Sequence, residues 1–162
     1  MREAEASGVS WCEGLGTAGW GKLGGAIREL KIAYAKACDG YNVDRILSLY
    51  TDDIVFDAGE QFGRHQVKAA VRTFLTETWK QLTWALHYMT GESITIAPSG
   101  TEATGSWYLW EPCTISNRAI WLAGRYDDEY RKVDGRWDFS RVTLRADMST
   151  PFEVGWVKQR YA

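Results

Sequence analysis

The chain of 162 residues is long enough for a single domain, and its hydrophobic fraction of 45% is sufficient to form a core. A formal net charge of −2 gives no reason to expect a nucleic acid or an anionic membrane as a partner. No apolar run approaches the length of a membrane span, and the first residues lack the apolar segment of a secretory signal. We therefore expect a cytoplasmic protein that binds neither nucleic acid nor a membrane.

Cysteine and aromatic residues narrow the kind of site to expect. Cys12, Cys38 and Cys113 are widely spaced and match no metal-ligand pattern. The chain also contains no Gly-rich phosphate loop, so neither a metal nor another cofactor is expected. Nine Trp and eight Tyr are many for this length. They are compatible either with the lining of an apolar cavity or with an aromatic core and subunit interface.

The first half of the chain has the apolar spacing of helices. Residues 1–24 are rich in Gly and are expected to form a flexible arm, followed by one domain over 25–162. From Gly25 to Gly40, apolar residues recur at spacings of three and four, which predicts a first helix. Asn42 is a suitable N-cap for a second helix. A short strand at 54–56 and a third helix at about 66–80 follow.

After Thr83 the apolar period changes to two, which predicts strands. They cover about 83–89, 92–97, 103–113, 119–131 and 137–148, and the turn-forming segments PSGT, ISNR and VDGR separate the later ones. Charge-dense RYDDEYRK (125–132) is expected to be a solvated edge. Helices followed by a meander predict an α+β fold, with a cone-shaped, curved antiparallel sheet and three helices enclosing a pocket.

His87 is one of only two histidines and lies among large apolar side chains in TWALHYMTG (83–91). Alternation along a strand puts it on the same face as Ala85 and Met89. Such a histidine is either a core residue with a hydrogen-bonded ring or a base that faces a pocket. An Asp beside it would fix the tautomer and raise the basicity of the ring.

Other ionisable residues on apolar elements are few. Asp39 ends the first predicted helix, and Tyr34 lies about 140° away from it around an ideal helix. The two therefore share a pocket only if Asp39 lies in a distorted last turn. Without such a pocket, Asp39 is an ordinary turn residue and Tyr34 an ordinary core residue.

The last strands add further candidates. In WDFSRVTLRADM (137–148), alternation places Arg141 and Arg145 on one face with aromatic residues. Two arginines there could stabilise a developing anion, or they could face solvent or pair with an acid. Glu111, in YLWEP, is a candidate second acid on a strand face that Pro112 makes uncertain.

Three segments together resemble the SnoaL-like branch of the nuclear-transport-factor-2-like superfamily. They are CDGYNVDRILSLYTDDIVFD (38–57), TWALHYMTGESITI (83–96) and WLAGRYDDEYRKVDGRWDFSRV (121–142). Within that branch the chain is most similar to Asp–His lyases such as bile-acid dehydratases and hexachlorocyclohexane dehydrochlorinases. The resemblance implies a cofactor-independent lyase or isomerase that acts on a small hydrophobic molecule. It also implies a dimer or trimer formed through the outer sheet face.

The resemblance extends to individual positions. The bile-acid enzymes have a pocket Tyr, an Asp five residues later and a His on the following strand, and Tyr34, Asp39 and His87 match these. It implies that His87 abstracts a proton from carbon, that Asp39 orients His87, and that Tyr34 donates a hydrogen bond to the substrate. Arg145 or Arg141 would stabilise the departing group. The remaining substrate-binding residues are expected to be Phe56, Met89, Tyr108, Trp110 and Glu111.

This fold also serves proteins with other activities, so two other interpretations stay open. One is a polyketide or terpenoid cyclase, or an epoxide hydrolase, in which Asp39 is the acid or base. The other is a noncatalytic protein whose Trp-lined cavity binds a small ligand.

Overall fold

The computed structural model describes residues 17–161, in which helices precede most of the strands. The helices are α1 (Thr17–Asp39), α2 (Val43–Leu47), the single turn α3 (Gly59–Phe62) and α4 (Val67–Thr78). The strands are β1 (Tyr50–Asp57), β2 (Arg64–Gln66), β3 (Leu82–Ala85), β4 (Tyr88–Ile96), β5 (Glu102–Ile115), β6 (Arg118–Val133) and β7 (Arg136–Pro151). Helix α1 begins at Thr17 rather than Gly25, so residues 17–24 of the predicted arm are helical. Residues 1–16 lie outside the described part.

The strands form one curled sheet in the order β2-β1-β7-β6-β5-β3, and β4 pairs with the same side of β5 as β3. Every pairing is antiparallel except that of β1 with β7, which is parallel. The main core lies between the concave face of this sheet and helices α1, α2 and α4. The predicted α+β fold with a cone-shaped sheet is therefore confirmed, with one parallel pairing in an otherwise antiparallel sheet.

The end of α1 is fixed by the turn that follows it. The N–H of Gly40 bonds to the carbonyl of Lys36, and the N–H of Asn42 bonds to the carbonyl of Ala37. Tyr41 between them has a positive φ of 52°. The Asn42 side chain accepts a hydrogen bond from the N–H of Arg45 at 2.9 Å, as an N-cap does. This tight connection holds the last residue of α1 in a defined place.

The edge strand is interrupted at Leu86 and His87, inside the segment 83–89 that was predicted to be continuous. Opposite this point on β5 lies Pro112, whose carbonyl accepts the N–H of Leu86 at 3.2 Å. Pro112 has no N–H to return, so the ladder loses a bond here. The break predicted near residue 91 is instead a bulge, where Gly91 has a φ of 62° and lies beneath the Tyr108 ring.

A buried ion pair supports the core outside the cavity. Lys31 Nζ lies 2.7 Å from Asp128 Oδ2, and both side chains are almost fully buried. Tyr130 donates a hydrogen bond to the same carboxylate, and the Trp107 indole donates one to the Tyr130 hydroxyl. The ammonium also lies 3.7 Å from the centre of the Tyr126 ring. The segment RYDDEYRK therefore has a buried face, which corrects the prediction of a solvated edge.

Breaking this ion pair should destabilise the fold strongly. Lys31→Met leaves the Asp128 carboxylate buried without its partner, so the free energy of unfolding should fall by about 3–5 kcal/mol. Urea denaturation measures the change. The double variant Lys31→Met/Asp128→Leu should recover most of it. Lys68→Met, in an exposed pair with Asp52, should change it by less than about 1 kcal/mol. A single Lys31→Met variant as stable as the parent would contradict the assignment.

Cys38 and Cys113 are both buried and unpaired. Burial raises the pKa of each thiol to about 12, so both stay protonated at neutral pH and are poor nucleophiles.

A thiol reagent tests this directly. In a Cys12→Ser variant, Ellman's reagent at neutral pH should leave the folded protein unmodified and should titrate two thiols once the protein is denatured. Rapid modification of the folded variant would show that at least one of these cysteines is accessible as a thiolate.

None of the helices in residues 17–161 is long and apolar enough to cross a membrane.

Candidate active site

Asp39, at the end of α1, contacts His87 at the break between β3 and β4. Asp39 Oδ1 accepts a hydrogen bond from His87 Nδ1 at 2.8 Å and another from the His87 backbone N–H at 2.9 Å. The imidazole is 9% exposed and the carboxylate 27% exposed, so solvent screens this pair only in part. One carboxylate oxygen therefore fixes both the ring and the backbone of His87.

This contact determines which nitrogen of the His87 ring can act as a base. An ionised carboxylate only accepts hydrogen bonds, so Nδ1 carries the proton that is donated to Asp39. In the neutral ring the other nitrogen, Nε2, then keeps its lone pair. Because His87 also lines a cavity, the site has an oriented imidazole with a free nitrogen, which is what a general base needs.

Glu111 faces His87 from the neighbouring strand. Tyr88 pairs with Trp110, so the preceding residue His87 lies opposite Glu111, and both side chains point to the concave face. Glu111 Oε2 is 3.6 Å from His87 Nε2, and the glutamate side chain is 8% exposed. At that distance the contact is not a hydrogen bond, so Nε2 remains available to another partner.

Burial changes the acidity of Glu111. It raises the pKa of the carboxyl, because the charged form loses its hydration. A charged His87 ring opposes this rise, and the negative charge of Asp39 adds to it. The net effect is a raised pKa for Glu111, which favours the neutral acid.

The cavity beside these residues has a volume of about 330 Å³, near the lower end of the range for small-molecule sites. It lies between α1, α3, α4 and the concave face of the sheet. Aromatic side chains form much of its wall: Tyr34, Phe56, Phe62, Phe74, Trp79 and Tyr126. The exposed residues Glu77 and Gln81 mark its mouth. The cavity is therefore apolar along its wall and polar at the end formed by His87 and Glu111.

Tyr34 and Asp39 lie on different faces of α1 and contact different parts of this site. Tyr34 lines the cavity, with its ring packed against Tyr126 and Phe139. Asp39 is not among the lining residues, because it lies behind the His87 ring, at the nitrogen remote from Glu111. Because Asp39 contacts His87 and does not itself line the cavity, no distorted last turn of α1 is needed.

The structure corrects the placement of both arginines. Arg145 pairs with Asp57 at 3.0 Å and Arg141 pairs with Glu129 at 3.2 Å, and neither lines the cavity. The reason is a bulge in β7: Tyr130 pairs with Phe139 but Glu129 pairs with Arg141, so Ser140 is an extra residue. A one-residue shift exchanges the two faces of a strand. Beyond the bulge, the residues that point inward include Val142 and Leu144 instead.

Three expected substrate-binding residues also lie elsewhere, whereas Phe56 and Glu111 do line the cavity. Trp110 and Tyr108 are 38% and 61% exposed on the outer face of the sheet. Met89 is half-buried and packs against the main core outside the cavity. Alternation along β5 explains the first two, because Glu111 points inward and its neighbour Trp110 must then point outward.

Tyr126 is a further residue of the site that was not predicted from the sequence; it is buried and lines the cavity beside Tyr34. It lies in segment 125–132, where the many charged residues obscured the alternation of inward and outward side chains. Its signal was the alternation of Tyr126, Asp128 and Tyr130 with four charged residues, Arg125, Asp127, Glu129 and Arg131.

Among residues 17–161, no group of three or more His, Cys, Asp or Glu side chains is arranged to hold a metal ion.

Comparison with known proteins assigns the chain to a family. The family model of the SnoaL-like domain matches residues 24–143. No sequence among the curated proteins matches the chain significantly. A crystal structure from Novosphingobium aromaticivorans, of a protein assigned as an aromatic ring hydroxylase, is 30% identical. The match covers 78% of this chain and 90% of the Novosphingobium chain, with a TM-score of 0.72.

Two further structures share the fold at lower identity. Hexachlorocyclohexane dehydrochlorinase type 3 from Novosphingobium barchaimii is 22% identical, covers 81% of this chain and 90% of its own, and has a TM-score of 0.74. A protein of Novosphingobium aromaticivorans assigned as scytalone dehydratase is 24% identical, with 80% and 87% covered and a TM-score of 0.71. The chain therefore belongs to the SnoaL-like domain family and has the fold of the nuclear-transport-factor-2-like superfamily.

Proposed function

We propose that the protein is a lyase that needs no cofactor and eliminates a group from a small, mostly apolar molecule. The observation that carries the proposal is the 2.8 Å hydrogen bond from His87 Nδ1 to Asp39, with Nε2 free at the polar end of the cavity. Two proteins of this fold have names that denote eliminations, a dehydrochlorinase and a dehydratase. Those names support the reaction class, and the site geometry supports the assignment of roles.

His87 is the base in this proposal. Its Nε2 takes a proton from a substrate carbon that lies beside an electron-withdrawing group, and Asp39 stabilises the imidazolium that forms. Tyr34 donates a hydrogen bond to a substrate oxygen. Burial raises the pKa of the Tyr34 phenol well above its usual range, so the phenol keeps the proton it donates. The arginines have no part in the chemistry, because both point away from the cavity.

Removing the base or its partner should abolish turnover without unfolding the protein. His87→Ala and Asp39→Asn should each lower kcat by roughly 10²–10⁴-fold, the usual contribution of general acid–base catalysis. Steady-state rates measure this, and circular dichroism checks the fold. Asp44→Asn, on the exposed surface of α2, is the matched control and should keep the parental rate.

Different outcomes separate the alternatives. If His87→Ala unfolds the protein and the parent turns over no substrate, His87 is a structural residue. If product formed in labelled water contains labelled oxygen, the protein is a hydrolase rather than a lyase.

We also propose that the protein is a homo-oligomer that assembles through its outer sheet face. Five aromatic residues of the sheet point to that face: Trp84, Tyr88, Tyr108, Trp110 and Trp121. Phe152, just after β7, packs beside them. Trp110 stacks on Trp121 at 5.1 Å, and Trp121 contacts Phe152. Aromatic residues are enriched at the centres of protein interfaces, so a second copy is the partner that would cover them.

Light scattering after gel filtration tests the assembly. The parent should elute as a dimer or trimer, and Trp110→Glu should shift it toward the monomer because a charge at an interface centre is costly. Val133→Glu, at the end of β6 and outside the aromatic face, should leave the assembly intact. A parent that is monomeric at micromolar concentration contradicts the proposal.

A further inference from the structure

Glu111 is a buried carboxyl that the proposed mechanism has not used. Among the described residues it makes no side-chain hydrogen bond, and it lies 3.6 Å from the nitrogen assigned as the base. Burial raises its pKa, which favours the neutral form. A neutral carboxyl beside a base is placed to give a proton to the same molecule from which the base takes one.

The charges around the cavity limit what can bind. No Lys or Arg is found among the described residues that line it. Lys80, near the mouth, is paired with Glu77 at 2.7 Å. An anionic substrate that meets the neutral His87 ring would therefore lose its hydration without a counter-charge, which is costly. The cavity therefore suits an uncharged substrate, and the buried carboxyl of Glu111 is placed to protonate a group as it leaves.

We propose that Glu111 is the general acid of this site, and that the substrate is an uncharged hydroxy compound whose hydroxyl leaves as water. This inference rests on the proposed lyase function and names the class of substrate. It also assigns a second catalytic residue.

The step balances within the site. The lone pair of His87 Nε2 forms a bond to the substrate proton, and the electrons of the broken C–H bond form a carbon–carbon double bond. The C–O bond breaks with its electron pair on oxygen, and that oxygen takes the proton of Glu111. The products are an unsaturated compound and water.

The pair then resets itself. After one turnover His87 is an imidazolium and Glu111 a carboxylate. A small movement closes the 3.6 Å gap, and the proton passes from Nε2 to Oε2. Both groups return to their starting forms without a proton from solvent. Because acid and base lie on the same wall of the cavity, proton and hydroxyl leave from the same side of the substrate.

A change of leaving group tests the role of Glu111. The probes are 3-hydroxyindan-1-one and its 3-chloro analogue, because chloride leaves without a proton. Glu111→Gln should lower kcat/KM for the hydroxy compound by about 100-fold or more and for the chloro compound by less than about 10-fold. Glu102→Gln, exposed at the start of the same strand, is the control and should change neither. Equal losses on both probes would overturn the assignment, and so would a parent that eliminates chloride but not water.

Two further measurements keep this result separate from the lyase proposal. His87→Ala should lose activity on both probes; if it keeps both activities, the lyase proposal itself fails. Infrared spectroscopy at neutral pH should show the carbonyl stretch of a protonated carboxyl that is present in the parent and absent in Glu111→Gln. If the band is missing from the parent, Glu111 is ionised and the inference is wrong, whether or not either probe is turned over.

Discussion

The site depends on one carboxylate oxygen, because Asp39 Oδ1 holds two groups of His87 at once. Pro112 interrupts the ladder between β5 and its neighbour, and the edge strand separates at Leu86 and His87. The backbone N–H of His87 would otherwise lack a partner at this break. Asp39 both accepts that N–H and orients the ring. The hydrogen bonds that close a gap in the sheet therefore also set the tautomer of the His87 imidazole.

The remaining parts of the site follow from where the break lies. His87 faces Glu111 because the residues beside them, Tyr88 and Trp110, are paired in register. Alternation then turns both aromatic neighbours to the outer face, where they add to an exposed aromatic surface. The inner face keeps an imidazole, a carboxyl and the phenols of Tyr34 and Tyr126 at one end of an apolar cavity. The sheet register therefore separates the face proposed for assembly from the face proposed for catalysis.

Much of this could be predicted from the sequence, and the errors have identifiable physical causes. Apolar periodicity predicted the order of the longer helices and strands, and the residue type of Asn42 predicted the helix cap, because both depend on local sequence. The proximity of Asp39 to His87 was expected from a resemblance in spacing and not from periodicity. The placement of Arg141 and Arg145 failed because alternation cannot detect the extra residue at Ser140.

The strand face and the protonation state of Glu111 could not be predicted from the sequence either. Its strand face depended on the pairing opposite Pro112, which involves residues far away in the chain. Its shift toward the neutral acid depends on burial, which is a property of the folded cavity. Sequence could name the residue type but could not decide between an exposed carboxylate and a buried acid. The proposed mechanism thus depends on tertiary pairing more than on any local motif.

The tautomers of the two histidines test whether Asp39 leaves Nε2 of His87 free to act as a base. His87 Nδ1 lies on the Asp39 carboxylate, whereas His65 Nε2 lies 2.9 Å from the backbone carbonyl of Phe62. Each acceptor requires the proton on the nitrogen that faces it, so the rings should be opposite tautomers. Nitrogen-15 NMR, at a pH where both rings are neutral, should show His87 protonated at Nδ1 and His65 at Nε2. A His87 ring protonated at Nε2 would contradict the account, because that nitrogen could not act as the base.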